Sequence, residues 1–197
     1  MPQHYDAATA LVVVDVQNDF ADPTGGLYVT GGEHVVGAVN AEIAAARAAG
    51  SLVVYTQDWH PPVTPHFAKD GGVWPTHCVQ GTWGAELHPE LTVAGPVVRK
   101  GVEGGDGYSG FSVRHPVSGE ESATELGGLL AEAGVRRVVV VGLAGDVCVK
   151  ATALDANGLG YDVVYPVDAT RFVELHEGDG ELALLELHDA GVEVVGA

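Results

Sequence analysis

Positive charge is scarce in this 197-residue chain. Nine Lys and Arg residues stand against 27 Asp and Glu, for a formal net charge of −18 at pH 7. Such a surface repels phosphate backbones and anionic headgroups, which argues against nucleic-acid binding and against peripheral membrane association. Cysteine is also rare. Cys78 and Cys148 are the only two; they make no disulfide framework, and a reduced, cytoplasmic setting is expected. The longest apolar runs, around residues 10–14 and 138–144, fall far short of the ~20 residues a bilayer-spanning helix needs. "MPQHYDAATA" lacks a basic segment followed by an apolar one, so no secretory leader is expected.

What the chain does contain is valine in short, nearly continuous apolar runs. Residues 10–16 ("ALVVVDV"), 51–57, 96–100, 136–144, 161–167 and 192–195 read as strands buried on both faces, as in a parallel sheet. Helical patterns lie between them: about Glu33–Ala49, closed by Gly50; from Ser122, where Ser-Ala-Thr-Glu has capping-box spacing, to Gly134; about Asp146–Asn157, closed by Gly158; and about Leu175–Ala190, closed by Gly191. Strand and helix alternation predicts one domain over residues 1–197. Its expected architecture is three-layer α/β/α: an open, doubly wound, mainly parallel six-stranded sheet with helices on both faces. Two irregular stretches, 58–95 and 101–121, break the rhythm. They are rich in Pro, Gly, His and aromatic residues, and insertions of that length usually carry function.

In such a sheet, ligands bind outside the carboxyl ends of the strands. Asp15, Asp58, Lys100 and Cys148 all fall there. "VVVDVQNDF" stays apolar beyond Asp15, so its carboxylate reads either as a strand-end cap or as a partly buried group that needs a cation. Lys100, one of three lysines, ends an apolar strand where an unpaired ammonium would be costly. An Asp15–Lys100 pair answers both demands. Cys148, in "LAGDVCV", reads either as a small buried hydrophobe or as a nucleophile. As a nucleophile it would sit near a helix N-terminus, with Lys100 favouring the thiolate and Asp15 accepting the thiol proton.

A second cluster is "DWHPPVTPH" followed by "WPTHC". Asp58 and His60, two apart at a strand end, can aim both side chains into one space, and His66 and His77 follow in the loop. Each histidine reads either as an ordinary surface or core residue or as part of a donor set suited to one divalent ion, zinc first, iron or manganese as alternatives. Trp59, Phe67, Trp74 and Trp83 nearby form either a minicore for the loop or a pocket for a flat ring. "GDGYSG", residues 105–110, matches a dinucleotide-binding glycine pattern but opens no helix, so it is set aside. Cys78 has no CxxC partner and is expected to be packed.

With these residues assembled, the chain resembles the nicotinamidase branch of the isochorismatase-like cysteine hydrolases over nearly its whole length. The motifs are "LVVVDVQNDFADPTGGLYVTGG", "TQDWHPPVTPHF", "WPTHCVQGTWGAELHPEL", "VVRKG" and "VVVVGLAGDVCVKATALDA". The resemblance implies metal-dependent hydrolysis of nicotinamide to nicotinate and ammonia through a Cys148 thioester, in NAD salvage, with pyrazinamide as a surrogate. It implies Asp15, Lys100 and Cys148 as the catalytic trio and Asp58, His60 and His77 as metal ligands, with His66 a fourth ligand in only some members. It further implies a cis peptide before Ala144, an oxyanion hole from the N–H groups of Ala144 and Cys148, and Phe20, Trp74 and Tyr108 around the pyridine ring of a small pyridine carboxamide. Val147, often His or Tyr in relatives, and a slightly longer "KGVEGGDGYSGF" loop depart from the pattern and bear on the pocket. The rival readings are another hydrolase of this fold, acting on N-carbamoylsarcosine, ureidoacrylate or isochorismate, and a non-catalytic metal-binding protein. A homo-oligomer is compatible with the helical faces, although no periodicity demands one.

Overall fold

The structure, a computed structural model, describes residues 5–196. Met1–His4 and Ala197, the ends of the expected domain and the start of the stretch read for a leader, lie outside the described residues. In chain order the elements are β1 (Thr9–Val14), α1 (Asn18–Ala21), α2 (Gly32–Ala48), β2 (Leu52–Asp58), β3 (Val97–Lys100), β4 (Ser112–Arg114), β5 (Glu121–Ala123), α3 (Leu126–Glu132), β6 (Arg137–Leu143), α4 (Lys150–Gly158), β7 (Asp162–Pro166), β8 (Thr170–Arg171), α5 (Asp179–Asp189) and β9 (Glu193–Val195). No helix among the described residues is long and apolar enough to cross a membrane.

The six expected strands form one sheet in the order β3-β2-β1-β6-β7-β9, and every pairing in it is parallel. Two-residue β8 adds a seventh member beside the end of β6. Because β1 is flanked by β2 and β6, the chain winds outward one way, then returns to wind the other. Their carboxyl ends flank the crevice where strand order reverses.

The pleat divides the valines between two cores. Leu11, Val13, Val53, Tyr55, Val139 and Val141 face α2, whose Val35, Val36, Val39 and Ile43 meet them at helical spacing. Ala10, Val12, Val14, Val138 and Val140 face the other way, onto Leu126 and Leu130 of α3, Ala153 and Ala156 of α4, and Leu187 of α5. Each fully buried Val or Leu contributes about 1.5–3 kcal/mol. Burial on both faces, rather than the propensity of short helices, therefore holds the strands in place.

Three local expectations are corrected. Residues 121–123 pair antiparallel with 112–114, so Ser122 lies in a strand rather than at a cap. Helix α3 starts at Leu126, whose N–H is accepted by Thr124 Oγ1 at 3.2 Å. Helix α5 starts at Asp179, four residues late, because Gly178 lies at φ +93° and the Glu174 carboxylate holds that turn through Gly178 N and Gly180 N. The segment with Cys148, Gly145–Val149, is a wide π-type turn preceding α4 rather than regular α-helix.

Candidate active site

The strand ends place the chemistry. Asp58 and Lys100 are register partners on β2 and β3, so their side chains leave the sheet on the same side. Asp15 follows β1 in the left-handed region, φ +48°, which turns its side chain at the strand end. Close packing of β1 on β6 there depends on Gly142, at φ +117°, where an added Cβ would lie 2.1 Å from Val14 O.

Lys100 is the hub. Its Nζ lies 2.8 Å from Asp15 Oδ2 and 3.8 Å from Cys148 Sγ, and it contacts Asp58 Oδ1 directly. Thr56 Oγ1 donates to Asp15 Oδ1 at 2.6 Å and accepts from Asp15 N at 3.2 Å. Asp15 Oδ2 accepts no aligned hydrogen bond, and an oxygen of Asp15 lies within 4.8 Å of Cys148 Sγ. Burial pushes the Asp15 carboxyl up to about 6; Lys100 opposes that rise and Asp58 adds to it. Burial alone would favour the neutral amine of Lys100, but Asp15 and Asp58 hold it firmly as ammonium. The Cys148 thiol is raised by burial, with Lys100 pulling the other way. That direction is opposite to the thiol depressed by a neighbouring cation that the sequence led us to expect, because desolvation of the sulfur outweighs Lys100.

One ring nitrogen each of His60, His66 and His77 lies within 4.8 Å of the other two. Asp58 Oδ2 faces them, 3.7 Å from His60 Nε2 and 4.0 Å from His77 Nε2. His77 Nδ1 is engaged by Pro75 O at 2.7 Å and His66 Nδ1 by Asp106 Oδ1 at 2.8 Å. Each engagement leaves the opposite ring nitrogen as a free donor pair. Both ring nitrogens of His60 are buried with no hydrogen-bond partner. A buried imidazole left without partners costs free energy unless something binds it. Three imidazoles and one carboxylate suit zinc and also iron or manganese, so the residues present fit a divalent ion.

Cys148, Asp58 and the three histidines open onto a pocket with about 420 Å³ of empty space, counting its mouth. Phe20, Trp74, Tyr108 and Ala144 line it, and Leu27, Val29, Val147 and Val173 complete an apolar wall. Trp74 Nε1 donates to the Tyr108 hydroxyl at 3.0 Å. The Leu143–Ala144 peptide is cis. Asp15 and Lys100 are fully buried behind the cysteine. The other aromatics divide: Phe67 packs under His60 and His77 at 5.5 Å, Trp59 lies beneath the Arg99 guanidinium at 3.9 Å, and Trp83 is half exposed. Cys78 is fully buried, as expected.

Sequence reasoning missed the residues that hold these groups in place. Gln17 Nε2 donates to Asp58 O at 2.8 Å and to Ala85 O at 2.9 Å, while its Oε1 accepts Asp58 N at 2.8 Å. Asp146 accepts Val173 N and Glu174 N, each at 2.9 Å, joining the cysteine turn to the pocket wall. A polar residue inside an apolar run, as Thr56 is in "LVVYTQD", was the one available signal.

The chain matches the isochorismatase domain over residues 9–197. It is 41% identical to a nicotinamidase/pyrazinamidase of Mycobacterium tuberculosis, across 94% of this chain and 97% of that protein. A nicotinamidase of Acinetobacter baylyi is 36% identical across 93% of this chain and 90% of its own length. Among solved structures, the pyrazinamidase of Pyrococcus horikoshii in complex with zinc superposes with a TM-score of 0.84, at 38% identity, over 96% of this chain and 99% of that one.

Proposed function

Because this chain belongs to the isochorismatase domain family, we propose that it is an amidohydrolase cleaving nicotinamide to nicotinate and ammonia, with pyrazinamide as a surrogate and NAD salvage as its setting. One observation carries this reading: a lysine ammonium bridges Asp15 and Cys148 at the edge of an apolar pocket that three histidines also line, with Asp58 between them and the lysine. Curated relatives with nicotinamidase names support the substrate, and the two buried, unpaired cysteines support a reducing cytoplasm.

Asp58, His60, His77 and His66 would hold one divalent ion, zinc first, which when bound supplies a Lewis-acidic anchor for a pyridine nitrogen. Phe20, Trp74 and Tyr108 flank the flat ring and exclude water from it. That orientation brings the carboxamide carbon over Cys148 Sγ. The thiol proton passes to Asp15, whose Oδ2 is paired with the Lys100 ammonium at 2.8 Å, as sulfur attacks the carbonyl. Lys100 balances the negative charge as it moves between sulfur and carboxylate. The N–H groups of Ala144 and Cys148 take the oxyanion. Asp15 returns the proton to the departing nitrogen, releasing ammonia and leaving an acyl-cysteine. It then deprotonates a water that attacks the thioester, and the thiol is restored with nicotinate.

Cys148→Ala tests the reading. Ammonia release from nicotinamide should fall to background while folding and bound metal stay unchanged; full activity in that variant would overturn the mechanism. Faster turnover of ureidoacrylate or N-carbamoylsarcosine by the wild type would move the substrate to the other hydrolases of this fold.

A further inference from the structure

The three clustered histidines differ in what stands behind them. His60 has no partner on either ring nitrogen, and His77 Nδ1 meets a neutral backbone carbonyl, Pro75 O. His66 alone is backed by a carboxylate, Asp106 Oδ1, 2.8 Å from its Nδ1. The two residues come from separate irregular stretches, His66 from the loop after β2 and Asp106 from the loop after β3. The Asp106 backbone is fixed in turn. Its N–H donates to Arg114 O at 2.7 Å, and Arg114 N donates back to Asp106 O at 2.6 Å. The His66 side chain is buried and its ring stacks on His60, centroids 4.6 Å apart. Half of Asp106 is exposed, so its carboxylate keeps solvent on one side while its other side faces the histidine.

We propose that Asp106 is a positioning residue that acts through His66. By accepting the Nδ1 proton it selects the tautomer whose Nε2 carries the lone pair, making His66 a fourth protein ligand beside Asp58, His60 and His77. The inference rests on the reading that a divalent ion occupies this cluster. A neutral imidazole has one N–H and one lone pair, so an anionic acceptor on one nitrogen assigns the other as the donor. The negative charge also makes that donor more basic, which a carbonyl partner does less and an absent partner not at all. The same bond ties the substrate loop to the metal loop, since Tyr108 follows Asp106 by two residues and accepts from Trp74.

The test uses the full chain stripped of metal, with zinc alone as the probe in a chelator competition. Asp106→Ala should weaken zinc binding about 10–100-fold, with Asp106→Asn in between, because its amide oxygen still accepts a hydrogen bond but carries no charge. In a His66→Asn background the Asp106→Ala change should have no further effect. The visible spectrum of the cobalt-loaded protein should shift alike in Asp106→Ala and His66→Asn. Zinc binding by Asp106→Ala equal to wild type would overturn the inference, as would an equal loss in the His66→Asn background, which would mark a structural role. If wild type itself binds no zinc, or if His60→Asn binds it as well as wild type, the metal reading fails and this inference falls with it. Intact wild-type binding alongside an unaffected Asp106→Ala sinks the inference alone.

Discussion

Asp58 and Lys100 occupy the same rung of β2 and β3, and their side chains are in direct contact, fully buried. The contact joins the two halves of the site, because Asp58 turns its other oxygen to the histidines and Lys100 turns also to Asp15 and Cys148. Removing the ammonium would leave two carboxylates buried with no cation between them. Lys100→Met is therefore expected to lower stability by about 3–5 kcal/mol, the loss seen when one partner of a buried ion pair is removed, and to abolish ammonia release. Urea unfolding and the activity assay check both. Lys100→Arg should not restore activity, because a planar guanidinium cannot fill the place of a compact ammonium among three groups. Near wild-type stability in Lys100→Met would contradict the hub assignment.

The pH profile follows from Asp15. Its carboxyl, pushed up to about 6 chiefly by burial, must be ionised to accept the thiol proton. Below that pH it is protonated and the acceptor is lost, so kcat/KM for nicotinamide should fall about tenfold per unit on the acid side. Above it, the carboxylate is ionised and the profile should level. Asp15→Asn should remove this limb along with nearly all activity. A profile still flat well below pH 6 would reject Asp15 as the base.

Much of this was legible before any coordinates, and the reason is physical. Runs such as "ALVVV" (residues 10–14) are apolar on every residue because helices cover both faces, and in a parallel sheet functional residues gather where those runs end. Asp15, Asp58, Lys100 and Cys148 could be read for that reason. What escaped depends on neighbours remote in sequence. Gln17 looks like any loop glutamine until its amide is seen clasping the Asp58 backbone. Asp106 is one acid among 27 until His66 arrives beside it. Ser122 had the spacing of a cap, yet pairing with Val113 drew it into a hairpin and passed the task to Thr124. Composition and spacing left the tryptophans unsorted, and only the family resemblance picked out Trp74 for the ring; the fold lines the pocket with Trp74 and lays Trp59 beneath Arg99.

The charge imbalance carries its own prediction. A net charge of −18 on 197 residues makes the folded surface repel itself, and added salt screens that repulsion over a Debye length of about 8 Å at physiological ionic strength. Raising sodium chloride from millimolar to molar should raise the thermal midpoint by several degrees, each 1 kcal/mol being worth about 2–4 °C at this size. Sodium chloride is the informative salt, since sulfate would also strengthen apolar burial. A midpoint that falls or stays level would mean that attractive ion pairs, such as Lys150–Glu186, outweigh the repulsion.

Two glycine substitutions should move stability in opposite directions. At Gly142, in β6, the backbone has φ +117° and an added Cβ would meet Val14 O at 2.1 Å and Val14 N at 2.8 Å. Neither obstacle can rotate away, since both belong to the paired strand β1. Gly142→Ala should cost about 3 kcal/mol or more through strain and separation of the strands. Because Asp15 and Cys148 stand just beyond those two strand ends, activity should fall further than the fraction unfolded explains. Gly158, by contrast, is the last residue of α4, in helical conformation with nothing within 4 Å of a new Cβ. There Gly158→Ala should gain about 0.5–1 kcal/mol, because alanine loses less chain entropy in a helix. Chemical denaturation of both variants beside wild type reads the two signs. A Gly142→Ala protein as stable and active as wild type would mean that β1 and β6 need not approach so closely for the catalytic trio to assemble.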